Sequence, residues 1–296
     1  MNPEQQQICN KTEINSDLNR DEGRYIYCVI GASEEKKFVS PPIGGRGDEV
    51  HPIRDITDAK ENSKISNGVH SISYRDIAAV ISVSAIKKYS ISRENTMAHQ
   101  KVLEELMRNF TVLPVKFGTV AGGKNGVSSE KRIREEVLKA RHEELKDLLI
   151  KMNNKIELGL KAFWTDMKVI FQEIVDENSQ IKKLRQKLAL EPITQPFGGK
   201  ATLGEMVKDA LERKKAKEEK DILDVLKNTC VDWRSNKVFG DNMITNSSFL
   251  VEKSKVEEFD RLVDKLATTY EGRTKFKYVG PVPPINFVEL VITLKD

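Results

Sequence analysis

Apolar residues along this chain follow two rhythms, and the alternation between them predicts the elements. From Gly23 to Ala32 both parities are apolar: Tyr25, Tyr27 and Val29 alternate with Ile26, Cys28 and Ile30. That pattern predicts a strand covered on both faces. Val69–Tyr74 and Ile77–Val83 predict two more strands, with Ala78, Val80 and Ile81 as core residues. A helical rhythm then runs from Ser92 to about Asn109. Met97, Val102, Leu103, Leu106 and Met107, continued by Phe110, form one stripe, and Ser90 or Ser92 supplies the cap. Thr111–Val120 predicts a strand. A long helix from Ser128 or Ser129 to about Asn154 follows, apolar at Val137, Leu138, Leu145, Leu148, Leu149 and Met152. Glu130–Arg134 and Glu135–Lys139 support it at i,i+4.

The second half opens with a strand at Ile156–Trp164 and a helix over Asp166–Leu190 that stops before Pro192. A proline- and glycine-containing loop, Pro192–Lys200, leads to a charged, proline-free helix at Ala201–Asn228. A strand at Met243–Val251, a helix at Val256–Tyr270, and strands at Lys275–Val279 and Asn286–Leu294 complete the chain. Ser40–Asp48 and Asp58–Asn67 are expected loops flanking a short apolar segment at Val50–Ile56. The fold class is therefore α+β in two domains. The expected boundaries are a disordered polar tail over 1–23, an N-terminal domain with a mixed sheet and long helices over 24–154, and a C-terminal domain over 155–296. The element order of the last resembles an elaborated ferredoxin-like layout.

Composition narrows the function classes. Charged residues make up 32% and hydrophobic residues 39%, an ordinary globular balance, and 49 basic residues against 45 acidic ones leave a net charge of +4. The two signs are interspersed, which argues against nucleic acid as a partner. No apolar run approaches the roughly 20 residues that span a bilayer, and the polar N-terminus has no signal core. Cys9, Cys28 and Cys230 are scattered and odd in number, which fits a reducing cytoplasm better than a disulfide framework or a metal site.

Candidate chemistry is sparse, and no catalytic residues, cofactor or metal site are expected. Gly118-Thr119-Val120-Ala121-Gly122-Gly123-Lys124-Asn125 comes close to a phosphate-binding loop. However, Asn125 replaces the hydroxyl residue that would ligate Mg²⁺, and the helix starts too late to hold Lys124 in its first turn. A strand-to-helix turn is the preferred reading, and a nucleotide-dependent enzyme using Gly118–Lys124 is the alternative. No two of His51, His70, His99 and His142 have the i,i+4 spacing of a helical zinc site, and His99 reads as a buried packing residue. The run Arg213, Lys214, Lys215 and Lys217 reads as the wet face of a helix or as an anion-binding stripe, diluted by Glu218, Glu219 and Asp221.

The least generic stretch is Tyr278-Val279-Gly280-Pro281-Val282-Pro283-Pro284-Ile285-Asn286-Phe287-Val288. Its prolines stop helices and most strand pairing, so it reads as a rigid, extended corner between two strands. Gly-Pro-x-Pro-Pro-x-Asn-Phe-Val near the C-terminus resembles the gas vesicle accessory proteins of the GvpL/GvpF family. Leu113-Pro114-Val115-Lys116-Phe117-Gly118-Thr119 is similar to that family's Leu-Pro-x-Arg-Phe-Gly-Thr, and Ile156–Lys161 to its Glu-Trp-Gly-x-Lys strand. Tyr25–Val29 and Met243–Val251 fit in family order. Lys116, Leu158 and Ile285 depart from the frequent Arg, Trp and Tyr while keeping charge or apolar bulk.

The resemblance implies an accessory protein, not an enzyme, that is cytoplasmic and gas vesicle associated. It also implies a small, very apolar shell subunit as partner, with other accessory proteins as further partners. The role is that of a chaperone or nucleating factor, or of a minor shell component. Such a binder needs apolar patches or an unpaired strand edge. The expected partner-binding residues are Pro114, Phe117, Gly280, Pro281, Pro283, Pro284 and Phe287, as determinants of shape first and of contact second.

Overall fold

A computed structural model of the chain describes residues 22–44, 68–190, 198–288 and 290–294. Residues 1–21 of the expected tail, 45–48 of the Ser40–Asp48 loop, the apolar segment after it, the Asp58–Asn67 loop and most of the Pro192–Lys200 loop lie outside the described residues. Contacts divide the chain into two compact units, one running to Asn154 and resuming at Pro283, the other Lys155–Val282. The second unit thus ends at Val282, short of the expected 296, because the chain beyond it packs with the first half.

The first unit is built on β1 (Glu22–Ile30), β2 (His70–Tyr74), β3 (Ile77–Ala85), β4 (Val112–Pro114) and β5 (Val120–Ala121). The order is β2-β3-β1-β4, with β5 also on β1. All these pairings are antiparallel, and among the described residues the one parallel contact is a bridge from Val115 to Leu290. The expected mixed sheet is therefore antiparallel. Helix α1 (Arg93–Met107) starts where Ser92 accepts a hydrogen bond from the Asn95 amide, and it buries Val102, Leu103 and Leu106. The long second helix is divided. α2 (Ser129–Arg132), capped by Ser128, runs into a π-helical stretch at Ile133–Lys139, and α3 (His142–Met152) follows. Tyr25, Tyr27, Ile30, Val80 and Leu103 lie in the core that results.

Asn286–Leu294 does not form the expected strand. The Phe287 and Val288 amides both donate to the Pro284 carbonyl, closing a turn, and only Leu290 bridges to Val115. The turn uses the Phe287 and Val288 amides, so neither is left for a ladder at the start of the expected strand.

The second unit comprises β6 (Lys155–Trp164), α4 (Met167–Glu177), α5 (Ser179–Leu190), α6 (Gly198–Leu226), β7 (Asp232–Ser235), β8 (Met243–Glu252), α7 (Val256–Thr269) and β9 (Thr274–Val282). Its sheet has the order β7-β8-β6-β9 and is antiparallel throughout. The expected single helix over Asp166–Leu190 is two, because the Asn178 side chain accepts from the Gln180 and Ile181 amides and starts a new helix. β7, which no sequence periodicity predicted, pairs with β8. On β6, Ile156, Leu158, Leu160, Ala162 and Trp164 are buried on one face. Phe249 and Phe259 meet on that side at 5.1 Å between ring centroids.

Candidate partner-binding site

Pro114 and Phe117 lie at a detour in the sheet. β1 pairs with Val112–Pro114 through Cys28–Ile30 and with Val120–Ala121 through Arg24 and Tyr25, so Lys116–Thr119 bulges out between the two pairings. Gly118 sits at φ +84°, a conformation that glycine adopts without strain. Its amide donates to the Tyr25 hydroxyl at 3.0 Å, and that hydroxyl lies 3.0 Å from His99 Nδ1. The Phe117 ring packs edge-on against His99 and Tyr25, at 5.6 and 6.4 Å. Pro114 is buried and Phe117 half-buried. The Leu-Pro-x-Lys-Phe-Gly block is therefore a packing knot, and both residues shape the fold.

His99 is buried in this knot, and burial pulls its pKa down to about 4. The neutral ring thus accepts the Tyr25 proton. In the unfolded chain the imidazole takes up a second proton from solvent near pH 6.5, while in the folded chain it stays neutral down to about 4, so the contribution of this group to stability falls as pH drops from 6.5 towards 4. Glu130, paired with His70 at 3.8 Å and with Arg24 at 2.9 Å, is held at about 2 and adds a further loss below pH 4.5. His99→Gln should flatten the first of these two slopes and leave the second, as read from urea midpoints across pH.

The Gly118–Lys124 segment is not shaped as a phosphate cradle. Val120 and Ala121 are spent on the ladder to β1, and the Gly122 carbonyl accepts from Arg132. Lys124 and Val127 then exchange both backbone hydrogen bonds around Asn125 (φ +50°) and Gly126 (φ +77°), which is a tight hairpin turn. Lys124 is exposed on it. Lys124→Ala should change stability by less than about 0.5 kcal/mol and leave vesicle formation intact.

The proline corner is divided between the two units. Gly280 and Pro281 belong to β9 and are exposed, whereas Pro283, Pro284 and Phe287 are buried in the unit that resumes at Pro283. Only the first two are surface residues. Pro281 is tolerated within a strand because β9 is an edge, and its pairing with β6 is irregular there, Glu157 facing Val282 and Gly159 facing Val279. Of the charge run, Lys214 pairs with Glu173 and Glu177 and Lys215 with Glu212, while Arg213 and Lys217 line a cleft of about 510 Å³ with Tyr270 and Arg273.

An open edge remains on one strand above all. In the first unit the 36–38 segment bonds to Val69 and Ser71 beside β2, and Leu290 covers Val115 and Lys116 beyond β4. In the second, β7 has four residues and mostly polar exposure. β9 has nine residues and, among the described residues, pairs only with β6. It exposes Val279 at 54% and Tyr278 at 36%, the latter donating to Asp260. Sequence reasoning pointed to such an edge without locating it.

The chain matches the family described as gas vesicle synthesis protein GvpL/GvpF over residues 23–289. It belongs to that family. Among its relatives is gas vesicle protein F of a Streptomyces species, 26% identical over 90% of this chain and 99% of the relative. The Halobacterium salinarum protein F1 is 23% identical, over 76% and 83%. The crystal structure of GvpF from an Anabaena species superposes with a TM-score of 0.70 at 21% identity, over 91% of this chain and 99% of that one. GvpF from Microcystis aeruginosa gives 0.65 at 23%, over 90% and 99%. The chain shares the α+β fold of these structures and has a gas vesicle accessory role. The family is not a known enzyme family. No helix among the described residues is long and apolar enough to cross a membrane.

Proposed function

We propose that this chain binds the small apolar shell subunit during gas vesicle assembly, in the cytoplasm, and that the outer edge of β9 is where the subunit docks. The observation that carries this reading is the nine-residue strand β9, which among the described residues is paired on one side only. An unpaired edge offers backbone donors and acceptors to another extended chain, and Val279 and Tyr278 offer apolar surface beside them. Lys275 and Lys277 are exposed on the same strand. They disfavour pairing of β9 with its own copy through like charge, yet leave it open to a neutral apolar strand. The chain would hold the subunit as a chaperone or nucleating factor until it joins the shell.

The unit Lys155–Val282 reads as an elaborated ferredoxin-like domain. Its β-ααα-β-β-α-β order and its β7-β8-β6-β9 sheet support this, with α4–α6 as an enlarged first crossover. The rest of the fold reads as an N-terminal domain to which the segment from Pro283 returns.

The test is capture of the shell subunit by full-length chain carrying Val279→Lys. This position is exposed, so the melting temperature should stay within a few degrees of wild type while capture falls at least tenfold. Unchanged capture would remove β9 as the docking edge. Retention of the chain on washed vesicles would replace the chaperone role with that of a minor shell component.

A further inference from the structure

We propose that the exposed part of the sheet face turned away from the helices of the Lys155–Val282 unit, around Lys161, Lys275 and Lys277, is a second docking surface, for an acidic, partly apolar segment of another protein. The register of β6 and β9 defines this face. Phe276 and Tyr278 stand opposite Ala162 and Leu160 and carry their rings to Tyr270 and Phe259, which marks the helix side. The alternate positions point the other way. There Lys161 stands directly opposite Lys277, and Lys275 directly opposite Phe163.

All three lysines are exposed, and none has an acidic partner within ion-pair distance among the described residues. The Lys277 ammonium lies over the Phe163 ring at 5.3 Å from its centroid. Across β8, Asn246 is the other neighbour of Lys161, and its side-chain amide donates to the Lys237 carbonyl at 2.9 Å. That contact brings Lys237 and the 62%-exposed Phe239 to the rim of the same face.

Like charges directly opposite each other on a sheet are destabilising. Elsewhere this chain places acids beside its lysines, as in Lys139–Glu135 and Lys220–Asp224. A single Glu at 161 or 277 would turn the repulsion into attraction, so the pair as it stands favours association at the expense of stability. Lysines clustered with aromatic rings suit carboxylates interleaved with apolar side chains. Single-stranded nucleic acid fits less well, because it stacks bases on free aromatic faces and the Phe163 face is already covered by Lys277. Docking at the β9 edge rests on its unpaired backbone with Val279 and Tyr278 beside it, whereas this surface rests on Lys161 of β6, one strand in, and on Lys277, so the two readings can fail separately.

The probe is a fluorescein-labelled peptide of repeated Glu-Glu-Leu, titrated with full-length chain and followed by anisotropy, beside a labelled oligouridylate. Wild type should bind the peptide more tightly than the oligouridylate. Lys161→Glu should weaken peptide binding at least tenfold while melting at or above wild type, since a carboxylate then faces Lys277. Lys277→Ala should weaken it several-fold without lowering the melting temperature. Lys208→Glu, the same charge change at an exposed position on α6, should alter it less than twofold. Equal losses from Lys208→Glu and Lys161→Glu, or no loss from either face variant, would overturn the proposal. So would tighter binding of the oligouridylate that Lys161→Glu abolishes.

Discussion

Replacing Arg273 by methionine should destabilise the chain by roughly 2–4 kcal/mol, although Arg273 is partly exposed. Its guanidinium grips both oxygens of Glu173, at 2.5 and 2.9 Å, and reaches Glu218 at 2.6 Å. Glu218 is buried and also accepts from the Trp164 indole at 2.7 Å. Glu173 in turn takes Lys214. The network ties α4 and α6 to the turn before β9. The two Glu173 hydrogen bonds drive the Arg273 pKa further up, and Arg273 holds the Glu173 carboxyl below its usual range. Methionine keeps the apolar stem and removes the charge, which leaves Glu218 buried with the indole as its one remaining donor in the network. The loss comes from that stranded carboxylate more than from the pair itself, so adding Glu218→Gln to the Arg273 variant should recover part of it. Urea unfolding of the two variants checks this. A loss under about 0.5 kcal/mol for Arg273→Met would mean that water already satisfies the carboxylates.

Gly280→Ala should cost about 2–4 kcal/mol, from backbone strain and overpacking together. Gly280 lies at φ +142°, where side chains are strained. A Cβ there would stand 2.7 Å from Leu158 Cδ2 and 3.1 Å from the Glu157 carbonyl oxygen. The leucine tip can shift, but the carbonyl belongs to the central strand of the sheet and cannot. Urea unfolding should therefore show a lower midpoint, and hydrogen exchange should show faster exchange in β9 than in β8. A change within about 0.5 kcal/mol would mean that the β6–β9 irregularity absorbs the methyl. Of the residues expected to matter for binding, Gly280 is the one whose geometry most clearly requires its residue type.

Periodicity made the long elements legible, and local chemistry explains where it failed. The two-faced apolar run at Tyr25–Ile30 is the most buried strand of the first unit, and Ser92 caps α1 as expected. Asn178-Ser179 carried a cap signal between Ile170, Ile174 and Ile181, whose spacing stays in helical step across the break and concealed it. Asn125-Gly126 carried a hairpin signal inside a motif that resembled a phosphate loop. β7 has four residues with Trp233 as its one large apolar residue, too few for a period to show. The proline corner announced rigidity, but no local pattern tells which unit a proline packs into. Pro281 stays on the exposed edge of β9, while Pro283 and Pro284, two and three residues later, are buried with the first half of the chain. The open edge was not legible at all, because strand order is a long-range property.

The most direct test of the docking account is hydrogen exchange on the full chain with and without the shell subunit. Docking at the β9 edge predicts slower exchange of backbone amides within Lys275–Val279 when the subunit is added, with β7 unchanged and the effect lost in Val279→Lys. Protection confined to other elements, with β9 exchanging as in the free chain, would contradict it.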